Sequence, residues 1–570
     1  MVPGMMRSIL TLALANVALA ATVTYNWEAT WVNTAVNGVR RPVIGINGQW
    51  PCPKIEATVG DTVVVVLTNK LGNQTTGIHF HGINQISTNF MDGPSLVTQC
   101  PLPPDMTMTY SFTADEGGTF WWHSHNMGQY PDGMRGPMII HDPNDPYAGQ
   151  YDEEYLLTMS DWYDEQSLTL MKTMFLPNNT RFAPPLPNSM VVNDGQGTNY
   201  NFQKGKTYRF RMINYASLAA FMVHFDSHDM NVIMSDSAYV KQKLTYMLRL
   251  APAQRYDVLI KCIDRDNRNY GFLIATDLNR DFTNKAFAQE WSMNTTGQLV
   301  MFPDRPFGTD VVKEWRPSDD SVFEDLRDTG ILPPATKTLQ FDWQFCLDSN
   351  GIPRACVNGS PYVDQKVPTL YTAVTTGTNN TNPLVYGAIH PFVVNYGDIV
   401  DIVINNHEVA IHPFHLHGHQ FQVVRRPASG AGDWPGVARA RLNPKPPRRD
   451  TVSVMGYSHA VIRFEAKNPG VYLFHCHIEP HVEMGLTATI IEAPERLRNL
   501  TIPEDHKAAC RALGIPTEGN AAGNMLNPVD QTGMNLQPFT EYHGATFRPP
   551  TAPAQPPAAR LRSRIVRNAV

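Results

Sequence analysis

Three stretches of the chain share one pattern of polar and apolar positions. Gly60-Asp61 opens GDTVVVVLTN and closes at Asn69; Gly205-Lys206 opens GKTYRFRMIN and closes at Asn214; Gly397-Asp398 opens GDIVDIVINN and closes at Asn406. Each is a glycine turn, a run of β-branched and aromatic residues, and an asparagine, which predicts a strand between two turns. One copy of that pattern is ordinary punctuation. Three copies predict an internal repeat, and so an all-β chain of three consecutive β-sandwich domains of about 120 to 190 residues.

Stretches containing Pro, Asp and Gly near residues 146–150 and 305–335 mark the joints, giving domains at 21–145, 146–305 and 335–498. Residues 499–570 form a C-terminal extension, whose end, TAPAQPPAARLRSRIVRNAV, reads as a disordered tail. At the other end, Ser8 to Leu19 is apolar but too short to span a bilayer, and Ala18-Leu19-Ala20 is a small-x-small cleavage site. Residues 1–20 therefore read as a secretory signal peptide. No later run has the length of a membrane span, so the mature chain is expected to be secreted or to lie within the secretory pathway. Six sequons, at Asn73, Asn178, Asn294, Asn358, Asn379 and Asn499, agree with export and glycosylation.

Composition narrows the class. The 570 residues are 42% hydrophobic and 17% charged, with 39 Gly and 45 Pro, which fits a turn-rich globular chain and excludes coiled coil, collagen and disorder. A net charge of -6 with no basic stripe argues against a nucleic-acid partner. The cysteine count is 7, so in an oxidising compartment three pairs can form and one thiol is left over. Cys476, between His475 and His477, is the one set aside, because a disulfide there would waste metal-binding chemistry.

The histidines are not scattered. His79, His81, His123, His125, His412, His415, His417, His475, His477 and His481 fall in four short clusters, two after the first repeat and two after the third. Alternate residues of a strand share a face, so each H-x-H aims two imidazoles at one place. The middle domain has no H-x-H, only His224 and His228, and is expected to space the outer two. Ten imidazoles with one thiolate point to copper, and His412, Cys476 and His481 supply the His-His-Cys set of a blue copper centre.

With these four motifs the chain resembles the multicopper oxidases, which include laccases, ferroxidases and ascorbate oxidases, over almost all of its mature length. The resemblance implies cupredoxin-like Greek-key domains and four copper ions. His412, Cys476 and His481 look like type 1 ligands, and His79 and His415 like type 2 ligands. His81, His123, His125, His417, His475 and His477 look like the ligands of the type 3 pair. The trinuclear centre would then lie between domains one and three, and Cys476 with its neighbours would carry electrons to it. The family's axial position is implied at Leu486, which cannot coordinate and should raise the potential, while Met484 reads as packing. Asp92 and Glu479 resemble the family's proton donors for dioxygen reduction, although Asp92-Gly93-Pro94 also reads as a plain turn. The resemblance further implies a Cys100–Cys510 disulfide. Cys346 and Cys356 would close a local loop, leaving Cys52 to pair with Cys262 by elimination.

Within the family, APAQRYDVLI, HPFHLHGH, PRRDTV and TEGNAAGN resemble the fungal ferroxidases of iron uptake. Those enzymes bind ferrous iron through three carboxylates, which map here to Pro184, Asp281 and Glu408, and they carry a C-terminal membrane helix. Pro184 offers no side-chain oxygen, and the tail shows no such helix. On these departures the expected enzyme is a laccase-like oxidase. It would take single electrons from phenolic or naphtholic polyketides in fungal pigment or secondary-metabolite biosynthesis and reduce dioxygen to water. Glu408 or Asp281 would then accept the phenolic proton, and ferroxidase activity is the alternative. A copper-storage or structural protein would leave ligand positions empty, and all eleven are filled.

Overall fold

The computed structural model describes residues 20–195, 197–263, 267–277, 293–305, 307–308, 312 and 315–538. Residues 1–19 of the expected signal peptide, Asp281, and the tail from residue 539 lie outside the described residues.

Each repeat is a strand: Thr62–Asn69, Thr207–Asn214 and Ile399–Asn406. Each lies in the same setting, between the first strand of its domain in parallel and a later strand in antiparallel. The flanking pairs are Thr22–Val36 with Thr107–Thr113, Glu153–Trp162 with Arg255–Lys261, and Lys337–Leu347 with Ser458–Glu465. Parallel neighbours cannot be joined by a hairpin, so the chain crosses to a second sheet in between. The result is two sheets per domain, of four and four, six and six, and seven and five strands. The chain is thus all-β in three cupredoxin-like sandwiches.

The punctuation of the repeat has a physical cause at both ends. Gly60, Gly205 and Gly397 hold φ of +96°, +84° and +85°, a region that side chains disfavour. The closing asparagines are fully buried and clamp the following loop. Asn69 accepts from the Leu71 N–H and donates to the Gln74 and Leu102 carbonyls. Asn214 accepts from Ala216 and donates to Ala219 and Leu250. Asn406 accepts from Glu408 and donates to Ala410 and Met455. In the first and third domains the clamped loop leads into the first H-x-H strand.

The cores run across domain boundaries. One apolar cluster joins Phe210 and Phe272 of the middle domain to Phe341, Phe414 and Phe474 of the third. Another joins Val65, Phe80 and Tyr110 of the first domain to Leu370, Val471 and Ile515. The helix Glu504–Ala512 lies on the first domain, where Asp505 accepts from the Thr109 N–H at 2.8 Å and Cys510 is bonded to Cys100. Cys346 and Cys356 form the second disulfide. The expected pairing of Cys52 with Cys262 is not made. Cys52 packs in the first-domain cluster, with its thiol against the Gly133 carbonyl, whereas Cys262 packs in the middle-domain core. Two thiols committed to different cores cannot reach bonding distance without unpacking both. Among the described residues no helix is long and apolar enough to cross a membrane.

Candidate metal centre

Each outer domain brings its two histidine clusters together on paired antiparallel strands. Ile78–His81 pairs with Gly118–Ser124, which puts His79 opposite His123. His412–Leu416 pairs with Gly470–Cys476, which puts His415 opposite His475 and Phe414 opposite Cys476. The two strand pairs face each other across the domain boundary. His79 stacks on His417 and His81 on His415, with ring centres 3.9 and 3.8 Å apart.

The rings then sort into groups whose ligand atoms all lie within 4.8 Å of one another: His81, His123 and His477; His125, His417 and His475; and His79, His81 and His415. Each group takes side chains from both outer domains, so neither domain could build one alone. The sequence singled out these eight residues but not their grouping into triads, two of which share His81; that depends on how the domains meet.

The donor set fits copper. Five of the rings spend Nδ1 on an oxygen: His79 on the Asp92 carbonyl, His123 on the Ser124 carbonyl, His415 on the Asp450 carbonyl, His417 on the Asp92 carboxylate and His475 on the Cys476 carbonyl, at 2.8 to 3.0 Å. A ring that donates through Nδ1 keeps its lone pair on Nε2. The Nε2 atoms of His79, His123 and His415 are buried with no protein partner, as are both nitrogens of His477. Buried orphan acceptors are rare in folded proteins, and several converging on one space define a cation site. Burial, reinforced by neighbouring imidazoles, holds His81, His123, His125, His415, His417 and His477 well below the usual histidine range. Burial pushes His475 down to about 4. At neutral pH these rings are uncharged, which is the ligating form.

The second site lies one residue away. Cys476 Sγ is 3.6 Å from His412 Nδ1 and 3.9 Å from His481 Nδ1, and the two nitrogens are 3.2 Å apart. That is a compact N₂S triangle of the kind that suits blue copper. Burial lowers both rings, His481 to about 3, and raises the Cys476 thiol. A thiolate there needs a cation beside it. Leu486 is buried and its carbonyl accepts from the Cys476 N–H at 3.0 Å. Met484 instead lines a cavity of about 130 Å³ that also touches His125, Asp364, Glu479 and Glu483.

The two expected carboxylates come from different outer domains. Asp92 follows the short turn Asn89–Met91, and its Oδ2 accepts from His417 Nδ1 at 2.8 Å. Glu479 starts the helix Glu479–Glu483, with its N–H on the Ser217 carbonyl of the middle domain, and burial pushes its carboxyl up to about 8. Glu408 lies at the outer edge of the N₂S site. It accepts from the Phe345 N–H at 3.1 Å, and the Phe345 ring lies 5.3 Å from His481. Phe182 stacks on Phe345 at 5.2 Å and brings the segment holding Pro184 to the same edge. Asp450, which contacts His81 and His415, and Arg255, which holds the Asp450 carboxylate, were not identified from the sequence as site residues.

Comparisons with known proteins agree with this geometry. Family profiles described as multicopper oxidase match residues 28–145, 153–290 and 362–496. The chain belongs to the multicopper oxidases, and accordingly uses four copper ions and dioxygen as electron acceptor. The iron transport multicopper oxidase fetC of Epichloe festucae (strain E2368) is 43% identical over 538 residues, covering 93% of this chain and 86% of its own. The crystal structure of Fet3p, a multicopper oxidase that functions in iron import, matches with a TM-score of 0.86 at 34% identity, covering 91% of this chain and 100% of its own. The laccase from Botrytis aclada matches with a TM-score of 0.75 at 25% identity, covering 87% and 93%.

These relatives overturn the expectation of a phenol- or naphthol-oxidising enzyme of pigment or secondary-metabolite biosynthesis. That expectation weighed one missing side-chain oxygen, at Pro184, and a missing helix against the whole chain. Whole-chain similarity instead places the protein beside oxidases named for iron transport. The two disulfides are consistent with folding in the secretory pathway.

Proposed function

We propose that this protein is a ferroxidase. It takes one electron from each of four ferrous ions and delivers them, with four protons, to one dioxygen, which leaves as two waters. The observation that carries this reading is the 43% identity over 538 residues to a relative named for iron transport.

Bound copper supplies one-electron redox chemistry at the N₂S site and the reduction of dioxygen at the histidine cluster. His412, Cys476 and His481 are assigned to the type 1 ion and His79 and His415 to the type 2 ion. The triads containing His123 and His125 are assigned to the type 3 pair. Cys476 is bonded in sequence to His475 and His477, which end in different triads, so the chain itself links the two sites. Glu408 offers a hard oxygen ligand beside the Phe345–His481 edge, and such ligands favour the ferric product. Asp281 is assigned the same role, and Pro184 contributes no ligand. Glu479 is assigned the role of proton donor, which the burial that raises its carboxyl supports, and Asp92 the role of orienting His417. Sequons and disulfides support a site of action at or beyond the cell surface, or in a vesicle.

The test is oxygen consumption by the copper-loaded protein with ferrous iron as sole donor. One dioxygen per four ferrous ions is expected. A rate no higher than uncatalysed autoxidation overturns the reading.

A further inference from the structure

The middle domain carries none of the clustered histidines, yet one of its arginines holds the carboxylate beside them. Arg255 opens the strand Arg255–Lys261 and is fully buried where all three domains meet. Its Nε donates to the Thr119 carbonyl of the first domain at 3.0 Å. Its two terminal nitrogens donate to the two carboxylate oxygens of Asp450, in the third domain, at 2.7 and 2.6 Å. A two-point arginine–carboxylate pair fixes the plane of the carboxylate as well as its position.

Asp450 in turn touches two rings of the cluster. Its Oδ1 lies 3.2 Å from His81 Nε2, and its backbone carbonyl lies 2.9 Å from His415 Nδ1. Oδ1 also accepts from the Thr451 hydroxyl at 2.9 Å. The acceptor beside His81 Nε2 draws the ring proton to that nitrogen and leaves the lone pair on Nδ1. His81 Nδ1 is buried with no protein partner, and His81 belongs to the group with His123 and His477.

A second middle-domain residue holds the backbone of the same segment. Asp236 accepts from Arg449 at 3.0 and 2.8 Å, and from the N–H groups of Asp450 and Thr451 at 3.2 Å each. It also accepts from the Arg255 N–H at 3.0 Å. Packing reserves space for this assembly. A Cβ on Gly82, directly after His81, would lie 2.7 Å from the Arg255 guanidinium and 3.2 Å from the Asp450 carboxylate, at a φ of +92°.

We infer that Arg255 is a positioning residue for the trinuclear site: by fixing the Asp450 carboxylate, it sets which nitrogen of His81 faces the metal. The middle domain is then part of the machinery rather than a spacer. The inference rests on the reading of His81 and His415 as copper ligands.

The test uses the full chain, copper-loaded, with Arg255→Gln, Arg255→Lys and His81→Ala beside the unmodified enzyme. Copper content, the blue absorption, and the resonance and absorption signatures of the cluster coppers are measured. Arg255→Gln is expected to keep the blue centre and to lose cluster copper, with about 10- to 100-fold weaker retention against a chelator. Turnover should fall with the KM for the electron donor unchanged. Arg255→Lys keeps the buried charge but cannot make the two-point contact, and is expected to give a filled cluster with altered signatures. It also serves if Arg255→Gln fails to fold. If Arg255→Lys, or a folded Arg255→Gln, shows a filled cluster with unmodified signatures and only a lower melting temperature, Arg255 is domain glue and the inference is wrong. If His81→Ala leaves the cluster signatures intact, the ligand reading itself fails.

Discussion

His417 and His475 point their Nε2 atoms at each other across 3.1 Å while both spend Nδ1 on an oxygen. Both rings are held neutral by burial, so two lone pairs face each other at contact distance. In a dry interior that arrangement repels unless a cation lies between the rings. Removing copper should therefore destabilise the protein. A ligand present at a hundred times its dissociation constant contributes about 2.7 kcal/mol, and calorimetry of the stripped and reloaded protein should show at least that much. Protons compete for the same lone pairs, so retention falls as pH falls. With His475 near 4 and His481 near 3, copper analysis after dialysis should show loss beginning around pH 4 rather than near 6.5.

Cys476→Ser removes the thiolate from the N₂S site. It should abolish both the blue colour and turnover while leaving the histidine triads filled, since Cys476 supplies the thiolate of that group. Visible absorption and copper content measured together check this, and a blue Cys476→Ser protein would remove the type 1 assignment.

Glu479 has its carboxyl pushed up by burial to about 8. The protonated form, which can give a proton, is present below that pH and is lost as pH rises through it. The rate of dioxygen reduction at saturating donor should therefore fall above about pH 8. Glu479→Gln should lower it by about 10² to 10⁴ and remove that limb of the pH profile. A Glu479→Gln profile matching that of the unmodified enzyme would exclude the role.

Glu408→Ala should raise the KM for ferrous iron without changing the blue spectrum. Loss of one charged contact is worth about 1.5 to 3 kcal/mol, or roughly one to two powers of ten in affinity. Pro184→Glu should act in the opposite direction, because it adds an oxygen ligand at the edge where Phe182 meets Phe345. Steady-state kinetics on ferrous iron measure both.

The Cys100–Cys510 bond ties the helix Glu504–Ala512 to the first domain. Cys510→Ser should lower unfolding stability by about 2 to 5 kcal/mol in denaturant titration, with the copper spectra unchanged in native buffer.

Much of the site was legible because its signals are local. A strand period of two converts H-x-H into a pair of rings on one face, and Gly-strand-Asn recurs because each asparagine must clamp its own loop. Cys52 and Cys262 misled because elimination counts thiols without asking which core each one enters. Pro184 misled because one position was weighed against the whole chain. Arg255 was not legible as part of the site, because its partner Asp450 is 195 residues away.

The sequence by itself determined the three-domain all-β plan, the candidate metal-ligand set and the unpaired state of Cys476, since periodicity, turn chemistry and ligand type act over a few residues. Only the tertiary structure decided how eight rings group into triads and which nitrogens are left for metal. It alone decided which thiols meet, and that Arg255 of the middle domain holds the Asp450 carboxylate beside His81. Those outcomes depend on where distant strands come to rest. Burial and hydrogen bonding fix that only once all three domains have packed together.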